Sequence, residues 1–347
     1  MKVDFGGAGD ILFEQVGRAG LVTLSRPTSL NAINHGMVSA LARALSAWEA
    51  DRAVERVIIR GEGRAFSAGG DILDVYRAGL EGKASPDFFA DEYRLNAAIA
   101  RFPKPYIALI DGIVMGGGVG VSFHGSHRVM TENAIFAMPE VGIGFFPDVG
   151  GSHLLSRLPG ELGMYLALTG SRIRRGDACA AGLATHSVDA ENLPALTEAL
   201  CETDDVDGTL SVFSGEAESE LNEAIIHAIA RHFSFGSLAE ILESLSGDQD
   251  EWARETLATI KKRSPTSLCV AFRQVRAGAM LEMDECMKME FRILNRMLTG
   301  HDFYEGIRAV LVEKGSTPRW QPETLSEVSE ERINAYFAPL PDGELSL

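Results

Sequence analysis

The stretch Tyr106-Ile107-Ala108-Leu109-Ile110-Asp111-Gly112-Ile113-Val114-Met115-Gly116-Gly117-Gly118-Val119-Gly120 decides how this chain is read. An apolar, strand-like run over residues 106–110 meets three consecutive glycines and then a second apolar stretch. Glycine sacrifices the most conformational freedom on folding, so three in a row mark a backbone that turns sharply or approaches something closely. Where such a turn opens a helix, its free N–H groups face outward and can hold an anion. Residues 106–123 are broadly apolar, but Asp111 and the interspersed glycines make them strand, turn and buried helix ahead of a membrane span.

Two further loops complete the pattern. Upstream, Ala65-Phe66-Ser67-Ala68-Gly69-Gly70-Asp71-Ile72 follows the buried strand at Val57-Ile58-Ile59 and the turn Gly61-Glu62-Gly63. If the two strands are neighbours, the N–H groups of Gly70 and Gly117 converge on one oxygen, and two such donors stabilise a developing oxyanion. Taken alone, each glycine pair reads equally well as a tight turn. Downstream, Met138-Pro139-Glu140 and Phe146-Pro147-Asp148 place two carboxylates among Val141, Ile143, Phe145, Phe146 and Val149. Desolvation there raises a carboxyl pKa and suits proton transfer near neutral pH. The competing readings are a capping or salt-bridging Glu140 and an Asp148 that caps a helix starting near Ser152.

Composition narrows the function class. The chain has 347 residues, 46% of them hydrophobic and 23% charged, enough for one large core or a core with an appended domain. A formal net charge of -17 disfavours nonspecific binding to nucleic acid or to an anionic membrane. Cys179, Cys201, Cys269 and Cys286 form no CxxC pair and no cluster with histidine, which argues against a zinc site or a disulfide scaffold. No basic-then-apolar signal pattern opens the chain. The expectation is a cytoplasmic protein with no metal.

Short strands alternating with helices give an α/β architecture, with active loops at strand ends. Residues 11–14 and 20–24 read as an opening hairpin, and Met37, Leu41, Leu45 and Trp48 recur at helical spacing over 37–50. Residues 11–200 are expected to form the α/β core. Residues 202–220, acidic and poor in large apolar side chains, read as a loop or linker. Residues 221–337 read as a mostly helical region packed on the core, with Leu238, Ile241, Leu242 and Leu245 on one stripe.

Neither glycine run matches a dinucleotide fingerprint or a Walker loop, and no serine stands in a G-x-S-x-G elbow. Asp91 and Glu92 lie on an expected amphipathic helix and read most simply as surface acids. Lys104, Arg128, Arg172, Arg174 and Arg175 are either contacts for the phosphates of a large anionic substrate or solvated cations.

The combination resembles the enoyl-CoA hydratase/isomerase (crotonase) superfamily and, within it, the 3-hydroxyisobutyryl-CoA hydrolase family. General marks are Ala65 to Asp71 and Asp111-Gly112 with Gly116-Gly117-Gly118. Closer ones are Phe136-Ala137-Met138-Pro139-Glu140, Gly144-Phe145-Phe146-Pro147-Asp148-Val149-Gly150-Gly151 and Ser264-Pro265-Thr266-Ser267-Leu268. Met289-Glu290-Phe291-Arg292 and Gly300-His301-Asp302-Phe303-Tyr304-Glu305-Gly306 extend the likeness over residues 11–337. The resemblance implies a crotonase-like spiral of repeated ββα units with a helical C-terminal region. It implies hydrolysis of an acyl-CoA thioester, with coenzyme A as part of the substrate and no separate cofactor. The Gly70 and Gly117 amides become the oxyanion hole, Glu140 the principal acid and Asp148 its partner. Glu92 matches a substrate-binding position, and Ala68, Asp71 and neighbouring backbone would line the coenzyme A site. Hydratases of the superfamily usually carry a second glutamate just after the triple glycine, where this chain has Gly120. That departure favours hydrolysis over water addition to a double bond. The superfamily often trimerises, so a homo-oligomer is implied, while the extended C-terminus leaves its form open.

Overall fold

The structure, a computed structural model, describes residues 1–341 and 343–347. Its eleven strands are Lys2–Val3 (β1), Ile11–Val16 (β2), Ala19–Leu24 (β3), Arg56–Gly61 (β4), Ala65–Ser67 (β5), Tyr106–Ile110 (β6), Ile113–Met115 (β7), His127–Met130 (β8), Ile135–Ala137 (β9), Ile173–Arg174 (β10) and His186–Ser187 (β11). The chain divides into two compact units, Met1–Asp71 with Asp91–Phe136 and Ile173–Glu220, and Ile72–Ala90 with Ala137–Arg172 and Leu221–Leu347.

The first unit carries the sheets. The larger runs β1-β2-β3-β4-β6-β8-β11, with an antiparallel start and parallel pairing from β3 onward. The smaller runs β10-β9-β7-β5. Strands β4, β6 and β8 of the large sheet are each followed by a strand of the small one, which is the repeated ββα spiral. Strands β3 and β6 are buried at every residue, as expected of apolar strands covered on both faces. The helix His35–Ala50 opens on Asn34, whose side chain accepts from Met37 N–H, and buries Met37, Leu41, Leu45 and Trp48.

Residues 202–220 are not a plain linker. Val206–Phe213 is a helix capped by Asp205, and Leu210 is buried with Ala19, Ile58, Ile107, Leu200 and Cys201. Val206, Leu210 and Phe213 recur at helical spacing and face that core, while the acids that dominate the composition face away.

The second unit is helical. Helices Glu223–Phe233, Leu238–Gly247, Glu251–Ile260, Pro265–Gly278 and Glu330–Phe337 each start on a polar side chain that accepts a backbone N–H: Asn222, Ser237, Asp250, Ser264 and Ser329. Within the expected block 11–200, residues 72–90 and 137–172 group with the C-terminal helices. Aromatic contacts join them to those helices: Tyr76 meets Tyr304 with ring centroids 6.1 Å apart, and Tyr165 meets Phe233 at 5.4 Å. Among the described residues, no helix is long and apolar enough to cross a membrane.

Candidate active site

The first unit supplies a pair of backbone donors. Strands β5 and β7 pair in parallel, Ala65 with Ile113 and Ser67 with Val114, so the two glycine-rich turns leave the same end of the small sheet. The turn after β5 is pinned to residues 30–33: Ala68 N–H donates to Leu30 O at 2.9 Å, Ile33 N–H to Gly69 O at 2.8 Å, and Asp71 N–H to Ile33 O at 2.8 Å. In a parallel bridge the flanking residues make the ladder bonds, so the N–H of Gly70 itself points off the ladder. Gly69, at φ +125°, takes a conformation closed to most side chains.

After β7, Gly116 turns the chain at φ +46° and Gly117 opens the helical turn Gly117–Gly120. At that first position an N–H has no intrahelical acceptor. A Cβ placed on Gly117 would lie 3.2 Å from Gly70 N and 2.6 Å from Glu92 Oε1. The Gly117 backbone therefore closely approaches the Gly70 turn, and a side chain at 117 would meet both the Gly70 nitrogen and the Glu92 carboxylate. The helix expected after the glycines shortens to this one buried turn.

Glu92 corrects the surface reading. It lies on the helix Asp87–Ala100 and is 1% exposed, whereas Asp91 beside it is the surface acid, paired with His35 and Arg94 at 2.8 Å each. Asp71 is held by Arg26, whose Nη2 donates to Oδ2 at 2.9 Å while Nη1 donates to Ala32 O. Asp71 thus braces the Gly70 turn. Ala68 is half-buried, its N–H already committed to Leu30.

The second unit supplies a cluster of carboxyls. Glu140 opens the 3-10 turn Glu140–Ile143, which Gly144 closes at φ +70°. Its side chain is buried and Oε2 finds no hydrogen-bond partner among the described residues. Burial first, then the charges of Asp148 and Glu290, push its pKa well above the ordinary carboxylate range. Asp148 is also buried, in the loop before helix Gly151–Leu155. The N-cap position of that helix is Gly150, two residues beyond Asp148. Between them Val149 holds φ +49°, an outlier for a β-branched residue.

Glu290, quoted in the sequence only as part of a motif, proves central to this cluster. It is fully buried on helix Met283–Met297 and accepts from Gly150 N–H at 2.8 Å and Ser152 N–H at 2.9 Å. Burial lifts its pKa to about 8 against those hydrogen bonds. Gln274 works from another helix, donating to Pro147 O and to Ser152 Oγ. The available signal was one acid on a face otherwise made of Cys286, Met287, Ile293 and Leu294.

The cations considered for phosphate contact are mostly engaged elsewhere. Lys104 donates to the carbonyls of Trp48, Asp51 and Val54, and Arg128 to those of Leu183 and Gly125. Arg174 pairs with Glu220 and Arg175 with Asp189, leaving Arg172 as an exposed cation. Among the described residues, no group of three His, Cys, Asp or Glu side chains is placed to hold a metal ion.

Known proteins share this architecture. A family model described as enoyl-CoA hydratase/isomerase matches residues 19–337. A 3-hydroxyisobutyryl-CoA hydrolase, mitochondrial, from Xenopus tropicalis is 44% identical over 98% of this chain and 91% of its own length. The protein of that name from Homo sapiens is 42% identical over 97% and 91%. Among solved structures, a carnitinyl-CoA dehydratase from Mycobacterium thermoresistibile superposes with TM-score 0.92 at 43% identity, covering 97% of this chain and 98% of that one. An enoyl-CoA hydratase from Rhodobacter sphaeroides does so with TM-score 0.91 at 39% identity, covering 97% and 100%. With the sheet spiral, the paired amides and this likeness together, the chain belongs to the enoyl-CoA hydratase/isomerase family and, within it, to the 3-hydroxyisobutyryl-CoA hydrolases.

Proposed function

We propose that this protein hydrolyses the thioester of 3-hydroxyisobutyryl-CoA, with 3-hydroxypropionyl-CoA as a second substrate, releasing the hydroxy acid and coenzyme A in valine breakdown. The observation that supports this chemistry is the close approach of the two glycine-rich turns, with a Gly117 Cβ position only 3.2 Å from Gly70 N. In this reading the thioester oxygen accepts from both N–H groups, which stabilise the charge formed when the carbonyl carbon is attacked. Glu140 acts as the ionised acid. It either takes a proton from water as the water oxygen adds to the carbonyl, or itself adds to give a mixed anhydride that water opens. Both routes break the C–S bond, and the coenzyme A thiolate leaves and is protonated. Asp148 binds the acyl hydroxyl or handles that proton, and Glu92 lines the substrate side of Gly117. A buried acid left unpaired by an unsubstituted acyl chain would favour the 3-hydroxy substrate.

The second reading, hydratase or isomerase activity, takes its support from the names of the two solved relatives. Against it stands Gly120: residues 117–126 contain no carboxylate to act as the second acid of water addition. A third reading, a noncatalytic acyl-CoA-binding protein, leaves the buried acid cluster without purpose. An assay of free thiol release from a panel of 3-hydroxyacyl and enoyl thioesters tests all three. Thiol release from the 3-hydroxyacyl substrates, without enoyl formation, is the expected result. Enoyl formation alone supports the second reading, and binding without turnover the third. We also propose the cytoplasm as the compartment, supported by four free thiols, although the relatives above are named mitochondrial. Assembly into a homo-oligomer is proposed on the family habit alone.

A further inference from the structure

We propose that Glu290 is a positioning residue of the acid cluster, a two-oxygen clamp on the backbone of residues 150–152 that holds the Asp148 carboxylate in its working place beside Glu140. The inference rests on the reading of Glu140 and Asp148 as the reacting acids.

Three observations in the helical unit carry it. Glu290 is the one carboxylate on the buried face of helix Met283–Met297, and both of its oxygens are spent on backbone donors, Gly150 N–H at 2.8 Å and Ser152 N–H at 2.9 Å. Burying a carboxyl is expensive, and a local Ser or Asp would satisfy two N–H groups at lower cost. This acid instead comes from about 140 residues away in sequence. Second, the clamp sits beside Val149 at φ +49°, a backbone state that persists only where the surroundings over-determine it. Third, a second helix holds the same loop, with Gln274 Nε2 donating to Pro147 O and to Ser152 Oγ. Asp148 therefore lies between two buried anchors on two different helices, in a segment whose conformation is fixed against its own preference. Asp148 and Glu290 both lie close enough to act electrostatically on Glu140, so all three carboxyls share one neighbourhood.

The test uses the full-length chain and thiol release from 3-hydroxyisobutyryl-CoA. Glu290→Met removes both acceptors, and Glu290→Gln keeps the shape while turning a donor toward an N–H. Each is expected to lower kcat between about 10- and 100-fold per folded molecule, the scale of an ångström-level misplacement, with KM and the Kd of coenzyme A within about twofold of the parent. Because the clamp acts through Asp148, adding Glu290→Gln to Asp148→Asn should cost less than about threefold more. A merely structural residue would cost its full factor in both backgrounds. Should Glu290→Met fail to fold, the Gln single and double variants decide. The proposal is overturned if Glu290→Gln keeps kcat within about threefold, if kcat and KM fall together, or if the two substitutions multiply. Glu140→Gln in the same assay separates the premises. Full turnover there overturns the parent reading, whereas loss of turnover there with an unaffected Glu290→Gln overturns the clamp alone.

Discussion

Gly117→Ala puts the paired-amide geometry to its most direct test. No φ barrier stands in the way, since Gly117 opens a right-handed turn and is absent from the positive-φ glycines. The effect is one of space. The new methyl carbon would sit 3.2 Å from Gly70 N, and an oxyanion must sit about 2.7–3.1 Å from both donors. The methyl therefore crowds the front of the Gly70 amide and leaves only the Gly117 N–H to serve the substrate oxygen. Losing one such donor costs about 10²–10³ in kcat, or roughly 2.7–4 kcal/mol of transition-state stabilisation. The same methyl lies 2.6 Å from Glu92 Oε1, and Glu92, being buried, has little room to withdraw. Overpacking of this kind costs about 1–3 kcal/mol of stability, which a domain with 5–15 kcal/mol in hand survives.

The measurement is thiol release under saturating thioester, paired with a thermal melt and with coenzyme A binding. Gly247→Ala serves as the control, because a Cβ there meets nothing within 4 Å. The expected pattern is a folded Gly117→Ala protein with kcat reduced at least about 100-fold, beside a control at the parent rate. A folded Gly117→Ala variant retaining more than about a tenth of the parent kcat would refute the argument, since the oxygen could not then depend on both amides.

Further outcomes are fixed by the same geometry. Glu140→Gln should abolish turnover and leave thioester binding intact; a variant that still turns over at the parent rate removes Glu140 from the mechanism. Because burial and the neighbouring acids raise the Glu140 pKa, its ionised form appears only above the ordinary carboxyl value of 4.5. The acid limb of kcat/KM should lie above that value, and a limb at or below it contradicts the assignment. Glu290 keeps its proton up to about 8 when native but only to 4.5 when unfolded. Its contribution to stability is thus complete below the lower value and lost as pH rises through the higher one. Urea melts should show Glu290→Gln flattening that fall, and an unchanged slope would contradict the titration. Leu210→Ala should destabilise the protein by about 2–5 kcal/mol in the same melts, since Leu210 is fully buried in the core. A loss below about 0.5 kcal/mol would return residues 202–220 to the status of a solvated linker.

What could be read from the sequence, and what could not, follows from the range of the forces involved. The meeting of the two glycine-rich turns was legible because its determinants are local. Apolar runs fix β5 and β7, the glycines that follow have few other uses, and parallel pairing then brings the turns together. The burial of Glu140 was legible for a similar reason, since Val141, Phe145, Phe146 and Val149 are apolar in sequence and buried in the structure. Glu92 and Glu290 were not. Each stands on an amphipathic helix, where an acid is normally assigned to the wet face, and only long-range packing turns it inward. The helix over residues 206–213 was hidden by composition, because three apolar positions at the right spacing outweigh a surplus of acids that face solvent. The division of the chain was hidden by topology: residues 72–90 and 137–172 complete the helical unit although strands of the other unit flank them in sequence. Local pattern therefore brought out the two glycine-rich turns and one buried acid. The second acid's anchor lies some 140 residues downstream, and no window on the sequence spans that distance.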